Sequence, residues 1–569
     1  MTLAGWVQIA ALFVVVLAIT KPLGMYMFKV FSGERTWVSP ALRPVETAIY
    51  RISGVDETKE QGWLTYAVGL LMFSLVGLMA TFVILRTQGS LPFNPENLPG
   101  VKSDLAFGTS ASFTTNTNWQ AYSGETTMSY LSQMVALAVH NFTSAAVGLC
   151  VVLALIRGIT RRRSDTVGNF WVDLTRSILY VLLPISFVLA LVLVARGVPQ
   201  TLSGYGHATG LEGVAQTLAW GPIASQESIK ELGTNGGGFL NANSAHPFEN
   251  PTALTNFLEL VAILAIPAAL TYTFGRWAGD TRQGWTIFAA MSVVFLAGVF
   301  VAYWAEARHN PALDGLGIDQ SAGNLEGKEM RFGVPLSALW AVTTTVTSCG
   351  AVNSMHDSFN ALGGLIPLAD MHLGEVIFGG VGSGMAVMLL FALLAVFIAG
   401  LMVGRTPEFL GKKVQAYEVK MVAFAILIFP GAVLAFAGVA AVTDWGTATL
   451  NNAGPHGFSE MLYAFTSATA NNGSAFAGIG VNTGFYNSAQ GFAELIGRFL
   501  IIIPALAVAG ALARKQPVPA SLGTFPTTGV LWVGLLVGVV IIVGLLTFFP
   551  ALALGPIVEH FMGNNGTTF

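Results

Sequence analysis

Ten long apolar segments divide this chain and limit its fold more than any other feature. Each approaches or exceeds about 20 residues, the length that an α-helix needs to cross a membrane. The segments are residues 3–20, 63–85, 130–156, 170–195, 254–277, 285–305, 375–403, 421–442, 490–512 and 528–548. Only 10% of the 569 residues are charged, whereas soluble domains carry about 25%. We therefore predict an all-α polytopic membrane protein with ten transmembrane helices.

The Lys and Arg residues between the segments predict the orientation in the membrane. With the N-terminus outside, 18 basic residues fall in the links on the cytoplasmic side and 7 in the links on the outer side. Basic residues favour the cytoplasmic side, so we expect both termini outside. The first segment has no positive region before it, and we interpret it as an uncleaved span. The net charge of −3 gives no sign of nucleic-acid binding.

Each long outer link contains a polar cluster rich in Ser, Thr, Asn and Gly. The clusters are TTNTNWQ at residues 114–120, TNGGG at 234–238, TSCGAVN at 347–353 and ANNGSA at 470–475. A four-residue frame aligns them and recurs after 119, 113 and 123 residues, which indicates an internal repeat. A single cluster of this kind is typical of a surface turn, but four at similar spacing indicate a shared structural role.

The aligned frame contains the candidate site residues. They are Thr115, Asn116, Thr117, Asn118, Thr234, Asn235, Gly236, Gly237, Thr347, Ser348, Cys349, Gly350, Ala470, Asn471, Asn472 and Gly473. A short stretch that could form a half-helix precedes each cluster, for example residues 225–232, 336–345 and 459–469. Their C-terminal ends would point to the membrane centre, where the helix dipole favours a cation. The predicted repeat is therefore helix, pore helix, polar re-entrant segment, helix.

Four pseudo-symmetric repeats around a central pore give the predicted domain organisation. The units are residues 1–62 (first span and cytoplasmic link), 63–165, 166–280, 281–412 and 413–516 (repeats one to four), and 517–569 (last span and outer tail). Non-helical backbone at membrane depth is tolerated only when it is buried in protein or lines a water-filled cavity. We therefore expect the four clusters to meet on a pseudo-four-fold axis.

The aligned clusters contain no carboxylates and offer neutral carbonyl, hydroxyl and amide oxygens. Rings of backbone carbonyls can replace the hydration shell of an alkali cation, whereas Mg²⁺ and Ca²⁺ sites usually recruit Asp or Glu. Glycine lets the chain aim successive carbonyls at one axis. The sequence therefore predicts a selectivity filter for a monovalent cation, and we favour K⁺ over Na⁺ as the transported ion.

The sequence resembles the family of potassium-binding A subunits of the bacterial Kdp potassium-transporting ATPase, within the potassium-transporter superfamily. The motifs that carry the resemblance are TNTNWQ at 115–120, TNGGGFLNANSAHPFENP at 234–251, TSCGAVN at 347–353, ANNGSAFAG at 470–478 and FGGVGSGM at 378–385. The resemblance covers essentially the whole chain. It implies a K⁺-binding and translocating subunit of an ATP-driven uptake complex in the bacterial inner membrane. A stand-alone K⁺ or Na⁺ channel or symporter of the same superfamily is the alternative.

The resemblance also implies partners and a division of labour. The implied partners are a P-type ATPase B subunit, a C subunit and a small single-span subunit, and ATP hydrolysis would occur on the B subunit. This chain contains neither a D-K-T-G phosphorylation motif nor a G-x-x-x-x-G-K-[ST] loop. We therefore expect no nucleotide and no ATP hydrolysis on this chain.

Two further features lie within the predicted spans. A glycine cluster should interrupt the seventh span, although close helix packing by small residues would also explain it. The resemblance implies that this stretch is a gating loop below the filter and that the ion leaves sideways. Arg498 lies deep in the ninth span, where a charge usually faces protein or water. It is a candidate pore-side charge, with a structural bond to a carbonyl or to Glu494 as the alternative. The clustered glycines are Gly379, Gly380, Gly382 and Gly384.

Overall fold

The structure is a computed structural model that describes residues 1–519 and 524–567. Ten helices in this part of the chain are long and apolar enough to cross a membrane. They are Leu3–Phe31, Trp63–Ser90, Ser132–Thr160, Phe170–Ala195, Ala253–Trp277, Thr281–Leu313, Ser383–Met402, Ala416–Val442, Gly484–Ala513 and Val530–Asn564. Each predicted apolar segment overlaps one of them. The last predicted unit, 517–569, includes positions 520–523 and 568–569, which lie outside the described residues.

The first helix begins where predicted but ends at Phe31 rather than at residue 20. It continues past Lys21 and Pro22 because its later part packs closely against the fifth spanning helix. A Cβ added to Gly24 would lie only 2.6 Å from Ala269 O. Packing between helices, which the apolar length of one segment does not reveal, therefore extends this helix.

Four shorter helices lie between pairs of spanning helices, one in each predicted repeat. With 10 to 16 residues they are too short to span a membrane, so each ends inside the protein. The last three overlap the predicted half-helices, and the first lies in the repeat for which the sequence predicted a pore helix without assigning its residues. We call these the pore helices: Ser103–Thr114, Ile223–Leu232, Gly333–Val346 and Gly454–Thr469.

The seventh predicted span, residues 375–403, is interrupted at its glycine cluster, as the sequence indicates, and its spanning helix begins only at Ser383. The chain forms a helix over Ala361–His372, leaves helical geometry over residues 373–382, and forms a second helix over Ser383–Met402. We call residues 373–382 the helix break.

Glycine makes this break possible. Gly382 adopts φ 92°, a left-handed conformation that glycine reaches at little cost. Gly379 approaches Gly384 so closely that a Cβ added to Gly379 would lie 2.9 Å from Gly384 Cα. The clustered glycines therefore allow the chain to fold back on itself between the two helices.

The remaining elements are short and lie at the ends of the spanning helices or between them. Three π-helical turns, Ser132–Ala138, Ser177–Leu182 and Ala553–Ile557, interrupt spanning helices. The others are the helices Ser39–Ser53, Gly124–Thr127 and Asp444–Thr447, the 3₁₀ turns Asn243–Ala245 and His356–Ser358, and two antiparallel hairpins, Gly206–Thr209 with Ala215–Leu218 and Glu408–Phe409 with Lys412–Lys413. In the longer hairpin Gly206 pairs with Leu218.

The first helix begins and the last described helix ends on the same face, which we call the terminal face. Thr2 N donates to Tyr303 Oη (2.7 Å) near the end of the sixth span. His456, near the start of the fourth pore helix, lies 2.8 Å from Glu559 near the end of the last helix. All four pore helices begin on this face and run inward. The sequence predicts that the terminal face is external, and this orientation stays a prediction.

A buried lysine joins two spanning helices at the opposite face. Lys412 Nζ donates to Gly158 O (2.8 Å) and Leu512 O (2.7 Å), and also to Arg161 O. These carbonyls lie at helix C-terminal ends, where they lack intrahelical partners and where a cation is favoured. Burial lowers the pKa of Lys412 to about 8, which leaves the ammonium group as the main species at neutral pH.

We predict that Lys412→Met lowers the thermal stability of the detergent-solubilised protein, because three carbonyls lose their donor. Hydrogen bonds to a charged group contribute about 1.5–3 kcal/mol each, so the loss should be readily measured by thermal unfolding. Lys413→Met is the matched control, because Lys413 is next to Lys412 in sequence and its side chain is exposed. Equal unfolding temperatures for the two variants would contradict the role of Lys412.

Candidate functional site

Four short non-helical segments follow directly after the four pore helices. We number these re-entrant segments one to four, as residues 116–118, 234–236, 348–350 and 471–473. Thr115, Gly233, Thr347 and Ala470 are the residues that end the preceding pore helices. All the side chains of the four segments are uncharged, and most of their atoms are buried.

The second segment corrects the alignment predicted from the sequence. In each repeat one backbone N–H donates to the carbonyl five residues earlier, near the end of the pore helix. The donors are Thr117, Asn235, Cys349 and Asn472, at 2.9–3.0 Å from their acceptors. Asn235 is therefore equivalent to Thr117, whereas the sequence frame paired Thr117 with Gly236. The frame is wrong by one residue in this repeat, and Gly237 lies just beyond the segment.

Side chains connect the four segments into a closed ring. Asn116 Nδ2 donates to Thr234 O (2.9 Å), which joins the first segment to the second. Cys349 Sγ lies 3.5 Å from Asn235 O and joins the third segment to the second. The remaining two contacts close the ring, from Ser348 Oγ to Ala470 O (2.7 Å) and from Asn471 Nδ2 to Thr117 Oγ1 (3.0 Å).

The backbones of all four segments meet at Gly236. A Cβ added to Gly236 would lie 2.5 Å from Thr117 O, 2.8 Å from Gly473 Cα and 2.9 Å from Asn472 O. A Cβ added to Gly350 would lie 2.7 Å from Gly236 Cα. The position therefore has no room for a side chain, and backbone atoms line the centre of the ring.

Left-handed backbone conformations recur at equivalent positions of the segments. The first residue of each segment has φ between 48° and 72°, at Asn116, Thr234, Ser348 and Asn471. Such conformations cost about 1–2 kcal/mol for most residues, and they cluster at functional sites. The third residue is also left-handed in three segments, at Asn118, Gly350 and Gly473. Alternate residues in these three segments therefore share one unusual conformation.

The helix break lies against the inner ends of the second and third segments. Val381 N donates to Thr234 Oγ1 at 2.9 Å. Ser348 Oγ, which bonds to Ala470 O, also contacts Glu375 Oε1. A Cβ added to Gly380 would lie 3.4 Å from Thr347 O. The structure thus brings the predicted glycine cluster to the re-entrant segments, and the gating role of that cluster stays a prediction.

Arg498 is buried beside the third spanning helix. Its Nη2 donates to Ser144 O at 3.0 Å, and a Cβ added to Gly148 would lie 3.4 Å from the same nitrogen. This bond to a carbonyl agrees with the structural alternative considered for Arg498. The Glu494 carbonyl instead accepts a hydrogen bond from Asn471 Nδ2 at 3.0 Å. A pore-side role for Arg498 stays a prediction.

A cavity of about 70 Å³ adjoins the helix break. Its lining includes Glu375 and Arg498, together with Asn471 at the inner end of the fourth segment. The lining extends to Thr547 and Phe548 of the last span. The cavity therefore runs from beneath the segments toward the side of the helix bundle, and its walls are mainly apolar.

A buried charge cluster supports the second segment, and the sequence analysis did not single it out. Lys230 lies in the second pore helix with its side chain fully buried. Its Nζ contacts three carboxylates and two neutral oxygens: Glu227 Oε2 (2.7 Å), Glu231 Oε1 (3.3 Å), Glu249 Oε2 (2.9 Å), Asn243 Oδ1 (2.9 Å) and Ser244 Oγ (3.0 Å). We call these residues the Lys230 cluster.

The Lys230 cluster explains the polar extension that follows the second segment. Asn243 Nδ2 donates to Gly237 O, and Glu249 Oε1 accepts from Leu240 N at 2.7 Å. Arg331 donates to two further carbonyls of this stretch at 2.6 Å. The extension is therefore a folded strap over the second segment. The sequence signal was the spacing of Glu227, Lys230 and Glu231 on one helix followed by a downstream carboxylate.

Comparisons with known proteins agree with this architecture. The chain matches the family model described as Potassium-transporting ATPase A subunit over residues 10–561. Relatives described as potassium-transporting ATPase potassium-binding subunit share 62% identity in Methylobacterium nodulans and 61% in Methylorubrum extorquens, covering 100% of this chain and 99% of each relative. The relative of the same description in Bradyrhizobium diazoefficiens shares 59% identity, with 100% of both chains covered.

A solved structure shares the fold. The crystal structure of the potassium transporter TrkH from Vibrio parahaemolyticus aligns with a TM-score of 0.50 and 15% identity, covering 77% of this chain and 84% of that chain. Ten spans and four re-entrant segments thus define an all-α polytopic membrane protein with the fold of that transporter. The chain belongs to the family of potassium-transporting ATPase A subunits.

We predict that Lys230→Met destabilises the protein strongly, because Glu227, Glu231 and Glu249 would stay buried without their shared cation. Removing one partner of a buried ion pair costs about 3–5 kcal/mol. The measurement is the unfolding temperature of the full chain in detergent. Lys102→Met, at an exposed position before the first pore helix, is the control and should unfold like the parent. An unchanged unfolding temperature for Lys230→Met would contradict the stabilising role of the cluster.

Proposed function

We propose that this chain binds K⁺ within the ring of re-entrant segments and passes it across the membrane as part of an ATP-driven uptake complex. The observation that carries the proposal is the closed ring of four uncharged segments, centred on backbone atoms at Gly236. The relatives described as potassium-binding subunits support the choice of ion. Membership in a family of ATPase A subunits supports assembly with an ATPase.

The chemistry of the ring favours an alkali cation. Carbonyl and hydroxyl oxygens replace the hydration shell of such an ion without a fixed negative charge, whereas Mg²⁺ and Ca²⁺ usually require carboxylates. Alternate left-handed residues, as at Asn116 and Asn118, turn consecutive peptide groups in the same direction. Successive carbonyl oxygens of one segment would then face the ion together.

The orientation predicted from the Lys and Arg distribution makes the terminal face external. K⁺ would then enter from the outside, because the pore helices begin on that face and their C-terminal ends point to the ring. The membrane would be the bacterial inner membrane, with both termini outside.

The helix break gives a physical reason for coupling to a partner rather than free conduction. Val381 and Glu375 of the break contact the inner ends of two segments, so the direct path beneath the ring is obstructed. The cavity beside the break extends toward Phe548 of the last span. We infer that K⁺ leaves sideways along this cavity toward a P-type ATPase B subunit. A C subunit and a small single-span subunit would complete the complex.

We predict that Gly236→Ala raises the K⁺ concentration for half-maximal uptake by about tenfold or more, a loss of about 1.4 kcal/mol or more in binding. The added methyl group would meet Thr117 O and Gly473 Cα. Uptake is measured in cells that lack other K⁺ transporters, with Rb⁺ and Na⁺ as competitors.

Gly438→Ala is the matched control for this experiment. Gly438 lies in the eighth span, where an added Cβ would meet nothing within 4 Å. Parent-like uptake by Gly438→Ala together with reduced affinity of Gly236→Ala would support the proposal. Unchanged affinity and selectivity of Gly236→Ala would remove the second segment from the ion site.

We predict that the purified chain alone hydrolyses no ATP above background, whereas the complex with its P-type partner hydrolyses ATP faster when K⁺ is added. The reason is that this chain has no phosphorylation motif and no nucleotide-binding loop. Phosphate release measures both activities. Hydrolysis by the isolated chain, with contaminating ATPases excluded, would overturn the proposed division of labour.

A further inference from the structure

A second group of potential cation ligands lies on the terminal face, away from the ring of re-entrant segments. Asp357, His456 and Glu460 each place one ligand atom within 4.8 Å of the others. Asp357 belongs to the turn after the third segment, and the other two lie on the fourth pore helix. His456 and Glu460 are four residues apart, so they share one face of that helix.

His456 is held in an orientation that suits a metal ligand. Its Nδ1 lies 2.8 Å from Glu559 Oε1, and its Nε2 lies 2.9 Å from Asp357 Oδ1. A carboxylate that accepts the hydrogen bond of one ring nitrogen orients the ring for metal binding by the other nitrogen. A metal ion would replace the proton that Nε2 shares with Asp357 Oδ1. Glu559 would serve as this orienting group, and Nε2 would face the other two ligands.

Glu460 gives a second, independent indication of a ligand site, because one of its carboxylate oxygens has no hydrogen-bond partner. Its side chain has no exposed surface. Asn452 Nδ2 donates to Oε1 at 2.7 Å, but Oε2 has no hydrogen-bond partner. A buried carboxylate oxygen without a partner is costly, and such a group calls for a ligand that the protein itself does not provide.

Gly478 keeps the space between the two carboxylates open. It follows the fourth segment and adopts φ 72°. A Cβ added there would lie 2.7 Å from Glu460 Cδ and 2.8 Å from Asp357 Oδ1. The site also borders a pocket of about 300 Å³ that is lined by Asp357 and His456 and includes the exposed His309 and the half-buried His560. An ion therefore has room and a path from the terminal face.

We propose that Asp357, His456 Nε2 and Glu460 bind one divalent transition-metal cation of the zinc class. One imidazole with two carboxylates is a donor set for Zn²⁺ and related ions, whereas sites for hard cations such as Mg²⁺ and Ca²⁺ use oxygen ligands alone. The pocket leaves a coordination position for water. This site is separate from the proposed K⁺ site and does not depend on it.

The bound cation would join two parts of the protein that are far apart in sequence, the turn at Asp357 and the fourth pore helix. Asp357 N donates to Phe476 O at 2.9 Å, so the turn after the third segment already touches the exit of the fourth. A metal between Asp357 and the fourth pore helix would tighten this contact. Metal binding should therefore stabilise the terminal face of repeats three and four.

The test is a Zn²⁺ titration of the full chain, purified in detergent with the subunits that accompany it and first treated with a chelator. A proton on His456 Nε2 competes with the metal, because a metal binds only the unprotonated ring nitrogen. The titration is therefore run at pH 8. We expect one Zn²⁺ per chain and a higher unfolding temperature with Zn²⁺ than with Mg²⁺.

Glu460→Gln is the main variant, because it removes the unpartnered carboxylate and keeps an oxygen for Asn452. We expect its Zn²⁺ affinity to fall by about tenfold or more. The double variant His309→Gln/His560→Gln is the control for adventitious binding by the other two histidines of the same pocket, and it should bind like the parent. His456→Gln should abolish the visible absorption of bound Co²⁺.

Three results would overturn the proposal. They are parent-like Zn²⁺ affinity in Glu460→Gln, loss of binding in the His309→Gln/His560→Gln control, and stabilisation by Mg²⁺ equal to that by Zn²⁺. If His456→Gln does not fold, the affinity of Glu460→Gln decides the outcome alone, because that variant leaves the contacts of His456 with Asp357 and Glu559 intact.

Discussion

Backbone that leaves helical geometry inside an apolar bundle must find a partner for each N–H and C=O group it exposes. The four re-entrant segments meet this requirement through one another. Each returns an N–H group to its own pore helix, as Asn235 does to Lys230 O. Side chains then cross to the next segment, as from Asn116 to Thr234 O. The spanning helices, the strap over the second segment and the helix break can be understood as the scaffold that holds this ring together.

The spans could be predicted from sequence because apolar length is a local property. Features that depend on packing could not. The first helix reaches Phe31 because Gly24 fits against a neighbouring backbone. The glycine cluster indicated that the seventh span is interrupted, but not that helical geometry returns only at Ser383. The register of the second segment failed for a similar reason. Thr234-Asn235 looks like Thr115-Asn116 in sequence, but the second pore helix ends at Leu232, which shifts Asn235 into the position of Thr117.

The candidate site also contains some features that could be predicted from the sequence and others that could not. Neutral oxygen-rich clusters could be recognised because they repeat, and the structure brings all four together. The Lys230 cluster and the group around His456 do not repeat. Comparing the four repeats within the sequence therefore could not reveal them. Each requires a residue from a distant part of the chain, Glu249 in the first case and Asp357 in the second. Only the folded strap and the turn after the third segment bring these residues into contact.

Lys230 occupies a position at which the other repeats carry Ser112, Thr344 and Ser467, the acceptors of the equivalent backbone bonds. In two of these repeats the hydroxyl also accepts an N–H bond from the segment, as Thr344 Oγ1 does from Gly350 N at 2.8 Å. An assembly of four identical subunits would have to carry a lysine in every quarter or in none, and four buried ammonium groups would surround a cation at close range. Covalent fusion of the repeats removes that restriction. One repeat can carry a buried lysine at this position while the other three carry Ser or Thr. The four segments then keep the same backbone hydrogen bond, although the ring has a charged group beside only one of them.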